Sequence, residues 1–278
     1  HTTLLDFFAD ASACGGVIAA GPDGEPRAIG AGAVVLACGG IGGLYKNSTN
    51  FPHITGDAIA MALRHGVACE HLDYIQIHPT TLYSHRKGRR FLISESVRGE
   101  GALLLDKNGN RFTNELQPRD VVSAAIRAQM EKDSTDCVWE DMRPIGEAAI
   151  REHFPNILER CEEEGYDPIH EPIPVVPAQH YFMGGITADL SSRTALPRLY
   201  ACGETCCNGV HGRNRLASNS LLESLVFAQR AADDILYGEP PVFTGDKPDL
   251  APYREQEPLF AAYRQEVLTA IERSKNHE

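Results

Sequence analysis

The sequence predicts an α/β protein in which a capping domain of mixed α+β character interrupts a sheet-based domain. Two apolar strand runs that end in glycine turns, AVVLACGG and PRLYACGE, lie far apart in the chain. Between them the sequence changes to charged helices, a basic loop and a proline-rich exit. We therefore expect a sheet-based domain in two segments, an inserted cap, and a linker that begins a helical C-terminal domain: 1–71 and 182–237, 72–181, and 238–278.

The elements follow from local patterns. The runs HTTLLDFFAD, GGVIAA and GAVVLACGG predict strands, and TGDAIAMALRHGV predicts a helix capped by Thr55. In the inserted segment FLIS predicts a strand and RDVVSAAIRAQMEK a helix from Arg119, with charged helices near 144–165. After the second glycine turn, GVHGRNRLASNSLLESL predicts a turn and then an apolar helix that a Ser220–Glu223 capping box would begin. A proline-rich linker leads to a last helix at 259–275.

Composition excludes several classes of function. The chain has 278 residues, 42% hydrophobic and 23% charged, with a net charge of −12, which argues against nucleic-acid or anionic-membrane binding. No run has the apolar length of a membrane span. The eight cysteines form no CxxC pair, so we expect no metal centre, and free thiols favour the cytoplasm. The start at HTTLLDFF, without Met, is interpreted as a piece of a longer protein.

Several polar residues in turns suggest an anion site. HGRNR places two arginines at the start of a helix, an end that is itself positive. Arg119 also begins a helix, where a cation is unfavourable. With other donors from turns, the set suits a small dicarboxylate: His78, Ser94, Arg119, His180 and Arg215. A solvated turn, a structural histidine and a surface Glu95–Arg98 pair remain the alternatives for the single motifs.

Five ordered motifs, HPT, SESVRGEGA, PRDVV, HYFMGGI and HGRNRLASNSLLE, resemble the fumarate reductase/succinate dehydrogenase flavoprotein family. The stretches IPVVPAQHY and ASNSLLES are most similar to its aspartate-oxidising members. The resemblance covers about 30 to 240 and implies a partial FAD-binding Rossmann-like domain interrupted by the cap. The GxGxxG unit of that family does not occur in the sequence, so AVVLACGG is interpreted as a second strand–turn on the flavin side.

The resemblance also implies roles for single residues. It implies proton transfer by Arg119, with Glu95 and Arg98 as a relay to solvent. Because the pKa of arginine is far above neutral, the proton would pass along the chain of groups, and in amine oxidation Arg119 would orient and stabilise charge. The substrate carboxylates would be bound by His78, Ser94, His180 and Arg215. The positions implied to contact FAD are Gly39, Gly40, Asp57, Glu204, Ser220 and Leu221.

The implied reaction is oxidation of L-aspartate to iminoaspartate, with hydride transfer from Cα to flavin N5 and reoxidation by dioxygen or fumarate. This is the first step toward quinolinate and NAD, which makes quinolinate synthase a candidate partner. One alternative is a soluble fumarate reductase or succinate dehydrogenase flavoprotein with the same carboxylate clamp. A second alternative, from another class, is a non-catalytic fragment of such an enzyme.

Overall fold

The computed structural model describes residues 1–276 and contains twelve strands and seven α-helices in that range. The strands are β1 Thr3–Ala9, β2 Cys14–Ala20, β3 Pro26–Gly30, β4 Val34–Leu36, β5 Cys69–Glu70, β6 Ile75–Leu82, β7 Leu103–Leu105, β8 Val138–Asp141, β9 Ile173–Phe182, β10 Gly185–Thr187, β11 Leu199–Ala201 and β12 Cys206–Cys207. The helices are α1 Asp57–Arg64, α2 Glu95–Gly99, α3 Arg119–Asp133, α4 Glu147–His153, α5 Pro155–Glu163, α6 Asn219–Tyr237 and α7 Gln256–Lys275. The mixed α/β class predicted from the sequence is confirmed.

The chain folds into two compact units. The first unit comprises 1–44, 54–75 and the chain from 181 onward, and the second comprises 45–53 and 76–180. Within residues 1–276, no helix combines the length and apolar character needed to cross a bilayer. The same range contains no group of three or more His, Cys, Asp or Glu side chains arranged to hold a metal ion.

In the first unit, an antiparallel sheet β1–β2–β3 packs against the C-terminal segment. Leu5 and Ile18 of this sheet contact Tyr253 and Phe260, and the fully buried Tyr263 donates a hydrogen bond to the Leu5 carbonyl. The last helix begins at Gln256, earlier than the predicted residue 259, and Leu259 in its first turn packs against the same apolar cluster.

The two glycine-ended strand runs of the sequence lie side by side in the first unit. Strands β4 and β11 pair in parallel, with Val34 opposite Leu199 and Leu36 opposite Ala201. Because parallel strands end at the same edge, the glycine turn after β4 and the turn after β11 lie next to each other. This edge is where open α/β sheets bind ligands.

In the second unit, a sheet in the order β6–β9–β8–β7 carries helices α2 and α3 over an apolar core. Val97 of α2, Val122 and Ile126 of α3, and Val138 of β8 are fully buried in that core. The helix predicted from Arg119 begins at Arg119, after Pro118. FLIS, predicted as a strand, makes only an isolated bridge from Leu92 to Thr81, because the chain turns into α2 at Glu95.

Two predicted helix caps are wrong. Helix α1 begins after Gly56, whose φ of 80° is left-handed, while the Thr55 hydroxyl donates to the Asp57 carboxylate. Helix α6 has Ser218 at its N-cap with no side-chain cap, and Glu223 accepts a hydrogen bond from the Asn208 amide. In both cases a side chain that local sequence assigned to capping has another partner, the nearby Asp57 carboxylate for Thr55 and the Asn208 amide for Glu223.

Candidate functional site

In the first unit, Gly40 allows a carboxylate to approach the backbone closely. A Cβ on Gly40 would lie 2.5 Å from Oε1 of Glu204, a distance that no packed side chain adopts. Gly39 has a φ of 76°, and its carbonyl accepts a 2.7 Å hydrogen bond from the Thr205 hydroxyl. The structure thus brings three of the residues assigned to FAD, Gly39, Gly40 and Glu204, into one cluster.

The Glu204 carboxylate is held in this cluster by a backbone donor. Its Oε1 accepts a 2.9 Å hydrogen bond from the Phe182 amide. Burial raises the pKa of Glu204 to about 7, and this is opposed by the Phe182 hydrogen bond and the positive charge of Arg215. A carboxyl with such a pKa changes its charge close to neutral pH.

Arg215 is buried near Glu204 and fixed by three groups. Its Nη1 donates to the Ala217 carbonyl at 2.7 Å and to the Ser220 hydroxyl at 2.9 Å. Its guanidinium lies 4.1 Å from the centroid of the Tyr181 ring, a cation–π arrangement. Ser220, in the first turn of α6, therefore contacts Arg215. The sequence analysis had assigned Ser220 to contact FAD.

Tyr181 lies in the HYFMGGI motif next to His180, and the sequence analysis assigned it no role. Burial raises the pKa of its hydroxyl, so Tyr181 is neutral, and its ring also meets the His211 ring edge-on at 5.5 Å. The Arg213 guanidinium, for which sequence suggested no role, lies 5.3 Å from the centroid of the Tyr74 ring. Only the place of Tyr181 before a glycine pair hinted at its role.

Asp57 and Leu221 are the remaining residues assigned to FAD. Burial raises the pKa of Asp57 at the start of α1, and the Thr55 hydroxyl bonds its carboxylate at 2.8 Å. Leu221 is 77% exposed on the first turn of α6. The structure does not include Leu221 among the buried residues of the Gly40–Glu204 cluster.

In the second unit, His78 and His180 face each other from β6 and β9. Their rings meet edge-on with centroids 5.4 Å apart. The Nδ1 of His78 lies 3.0 Å from the Thr80 carbonyl oxygen, and its buried Nε2 has no hydrogen-bond partner within residues 1–276. His180 Nδ1 lies 2.9 Å from the Thr49 hydroxyl.

The His78–His180 pair lies in an electropositive environment. Burial first, then the charges of His180, Arg119 and Arg98, lower the pKa of His78 well below its ordinary value. His78 is therefore neutral near pH 7, with one buried ring nitrogen available to a ligand. Neutral histidine beside two guanidinium groups is a suitable environment for a carboxylate.

Arg119 is held in the second unit by two acceptors. Its Nε donates to Glu95 at 2.7 Å and its Nη1 to the Gln76 amide oxygen at 3.0 Å. The surface pair Glu95–Arg98, an alternative from the sequence, is not what forms, since Glu95 pairs with Arg119. Arg98 is instead 3% exposed and donates through Nη1 to the Glu115 carbonyl.

Ser94, which the sequence analysis assigned to the substrate, has a structural role in the protein. It is the N-cap of α2, and its hydroxyl oxygen accepts a 3.3 Å hydrogen bond from the Ser96 amide. A capping hydroxyl retains its own hydrogen for donation, and the Ser94 hydroxyl donates it to the Ser96 hydroxyl oxygen at 3.3 Å. The side chain is thus fixed in direction by the start of the helix.

The first unit contains groups that fit one end of a flavin cofactor. The glycine turn after β4 lies beside the buried Glu204, and the first turn of α6 has no side-chain cap on its amide groups. Uncapped amides at a helix start favour an electron-rich ring edge. These are the residues that would hold FAD in this chain.

Comparisons with known proteins identify the family of the chain. The model of the FAD binding domain family matches residues 2–221. The chain is 52% identical to the L-aspartate oxidase of Clostridium perfringens over 233 residues, which is 84% of this chain and 53% of that protein. It is 54% identical to the L-aspartate oxidase of Clostridium acetobutylicum over 204 residues, 73% of this chain and 47% of that protein.

A solved structure of E. coli quinol fumarate reductase is also similar. It matches with a TM-score of 0.76 and 34% identity, over 95% of this chain and 48% of that chain. The chain spans about half the length of the curated relatives it matches.

Proposed function

The chain belongs to the FAD binding domain family, and on that premise we propose that it oxidises L-aspartate to iminoaspartate with FAD. The identity of 52% to an L-aspartate oxidase over 84% of this chain supports the choice of substrate. The observation that carries the proposal is the electropositive histidine pair of the second unit, in which a buried nitrogen of His78 stands ready for a carboxylate oxygen.

Substrate binding would begin with this pair. The Thr80 amide donates to Nδ1 at 3.2 Å, so the neutral ring would carry its hydrogen on Nε2 and could donate it to a carboxylate oxygen. His180 and Ser94 would supply further donors from β9 and the start of α2. Hydrogen-bond donors together with nearby guanidinium groups bind a carboxylate more tightly than the donors or the positive charge alone.

Arg119 would fix the substrate and stabilise charge. Glu95 and Gln76 accept hydrogen bonds from Nε and Nη1 of Arg119. Because the guanidinium is planar, these two bonds also fix the orientation of its other N–H groups. The substrate amine must lose a proton as the Cα–N bond becomes an imine, and Glu95, exposed to 51%, would pass that proton to solvent. Arg98 would complete this relay.

In the first unit, Arg215 would bind a carboxylate of the substrate. The ring of Tyr181 and the Ser220 hydroxyl hold the guanidinium in place. Gly39, Gly40, Asp57, Glu204, Ser220 and Leu221 would contact the cofactor. When bound, FAD supplies the acceptor for two electrons and the Cα hydrogen.

The test compares L-aspartate with succinate. The protein is supplied with FAD, its flavin absorbance after gel filtration is recorded, and peroxide and iminoaspartate are measured for each substrate. We expect turnover of L-aspartate that Arg119→Ala abolishes and that Arg127→Ala, an exposed arginine on the same helix, leaves unchanged. Oxidation of succinate without L-aspartate would overturn the choice of substrate.

Fumarate reduction is the second candidate function. The similarity to quinol fumarate reductase over 95% of this chain favours it, since a dicarboxylate is bound in either reaction. Reduction of fumarate by the FAD-loaded protein with a reduced dye, without oxidation of L-aspartate, would select this alternative.

The product of the proposed reaction is a reactive imine, so an enzyme that consumes it promptly would be a natural partner. We propose quinolinate synthase in that role and the cytoplasm as the compartment. Co-elution of the two proteins on gel filtration in the presence of L-aspartate would support the pairing, and independent elution would count against it.

A further inference from the structure

The basic loop of the sequence, SHRKGRR at 84–90, borders a small cavity in the second unit. The cavity has a volume of about 100 Å³, enough for several water molecules or a small anion. Five cations and one carboxylate line it: Arg86, Lys87, Arg89, Arg90, Arg160 and Glu164. Within residues 1–276, this lining includes none of the side chains assigned to substrate or FAD. Such an excess of positive charge, in a chain with a net charge of −12, indicates an anion site.

The two ends of the basic loop are joined by hydrogen bonds. The Arg90 amide donates to the Ser48 carbonyl at 2.6 Å, and Arg90 Nε donates to the side-chain oxygen of Asn47 at 3.0 Å. Nη1 of Arg90 also donates to the Ser84 carbonyl at the other end of the loop. The Ser84 hydroxyl accepts a 3.1 Å hydrogen bond from the Arg86 amide. Because these bonds already order the loop, an anion that binds there pays little conformational entropy.

The carboxylate that lines the cavity is already neutralised. Glu164, just after α5, accepts hydrogen bonds of 2.9 Å from the Ser84 hydroxyl and from Arg160 Nη2. Arg86 Nη1 lies 3.5 Å from the same carboxylate. Arg160 also pairs with Glu163 at 2.6 Å. Two arginines therefore offset the charge of Glu164 and weaken its repulsion of a bound anion.

Lys87 and Arg89 keep their charges available to a ligand. Both side chains are exposed, and neither forms an ion pair with an acid among residues 1–276. The Arg89 guanidinium lies 4.8 Å from the centroid of the Phe51 ring, which stacks on the His53 ring at 5.6 Å. A cation–π contact holds the guanidinium plane and leaves its N–H groups free to donate at the edge.

We propose that this cavity binds a phosphoryl group of a small molecule, with Lys87 and Arg89 as its principal donors. A phosphoryl group fits because its several oxygens accept from donors that approach from different sides, and its charge exceeds that of one carboxylate. A concave site of this size suits a small ligand, while the net charge of −12 opposes a nucleic acid. Binding at this cavity needs neither FAD nor L-aspartate and is therefore independent of the proposed function.

Calorimetric titration of the full chain with inorganic pyrophosphate tests the site. We expect saturable binding of one pyrophosphate per chain, which weakens as salt is added. The double variant Lys87→Ala/Arg89→Ala loses two charge-assisted contacts and should bind about tenfold more weakly or worse. The matched control is Arg127→Ala/Lys132→Ala, which removes the same charge from exposed positions on α3 and should bind like the parent protein.

Glu164→Gln gives a prediction of opposite sign. The amide keeps the size of the side chain and an acceptor for the Ser84 hydroxyl, but it removes the negative charge from the cavity. The charges of Arg86 and Arg160 then act on the anion, so pyrophosphate should bind several-fold more tightly. Unchanged or weaker binding in this variant would show that the anion does not enter the cavity.

ADP and succinate define the ligand class. Tighter binding of ADP than of pyrophosphate, lost in Phe51→Ala, would support a nucleotide as the source of the phosphoryl group, and equal binding would support the free anion. Succinate is a dianion without phosphorus and should not compete with pyrophosphate. Effective competition by succinate would overturn the choice of a phosphoryl group. The absence of saturable pyrophosphate binding, or equal affinities for the two double variants, would overturn the site itself.

Discussion

Nε of Arg119 donates a 2.7 Å hydrogen bond to Oε2 of Glu95, although Arg119 begins α3, where the helix dipole disfavours a cation. Because Glu95 is 51% exposed, solvent screens this pair. We therefore expect Glu95→Gln to change the free energy of unfolding by less than about 1 kcal/mol. Because Glu95 is the proposed proton-transfer group, the same substitution should still lower kcat by about 100-fold. Urea titration and steady-state kinetics check the two effects.

A matched pair on α4 provides the control for that variant. Arg151 and Glu147 form an exposed i,i+4 ion pair at 2.9 Å in the same unit. Glu147→Gln should have a similarly small effect on stability and none on kcat. Equal kinetics for the two variants would show that the Glu95–Arg119 pair is an ordinary surface contact.

Sequence predicted those parts of the fold that local rules determine. The unfavourable charge of Arg119 at a helix start was interpreted as a pointer to a functional site, and in the structure Arg119 pairs with Glu95. The two glycine-ended strand runs were expected in one sheet-based domain, and β4 and β11 pair in parallel in the first unit.

Other features depend on contacts between distant segments, which sequence patterns do not encode. The Ser220–Glu223 box fails because the Asn208 amide claims Glu223, fifteen residues away in sequence. The contact of the Tyr181 ring with the Arg215 guanidinium is visible only once the strand and the helix are packed.

His78 is expected to make the protein less stable in acid. Its folded-state pKa lies well below the ordinary 6.5, so the unfolded chain binds the proton first as pH falls. Below about pH 6.5 the free energy of unfolding should therefore fall by about 1.4 kcal/mol per pH unit from this group. His78→Gln should remove that component, which urea titrations at several pH values would measure.

His153 is a control, because its pKa is shifted in the opposite direction to that of His78. Its pKa is raised by the Glu100 carboxylate, 2.7 Å away on the surface. The small stabilisation from that pair is present below the ordinary pKa and is lost as pH rises through the raised one. A His78→Gln variant whose pH dependence matches the parent protein would show that His78 ionises normally.

The ring of Tyr181 is expected to set the affinity for substrate through Arg215. With the guanidinium 4.1 Å from the ring centroid, a cation–π contact contributes about 1–2 kcal/mol. Tyr181→Phe keeps the ring and should leave KM for L-aspartate nearly unchanged. Tyr181→Leu removes it and should raise KM about tenfold, which steady-state kinetics would detect. Equal KM values for the two variants would show that the ring does not hold Arg215.

A side chain at position 40 is expected to destabilise the protein, because it would overlap with Glu204. An added methyl would lie 2.5 Å from Glu204 Oε1, and moving Glu204 breaks its bond to the Phe182 amide. Gly40→Ala should therefore lower the free energy of unfolding by about 2 kcal/mol and weaken FAD binding. Gly99→Ala, where nothing lies within 4 Å, should be neutral or slightly stabilising. Urea titration and flavin fluorescence measure both, and a Gly40→Ala protein as stable as the Gly99 variant would mean that Glu204 is free to move aside.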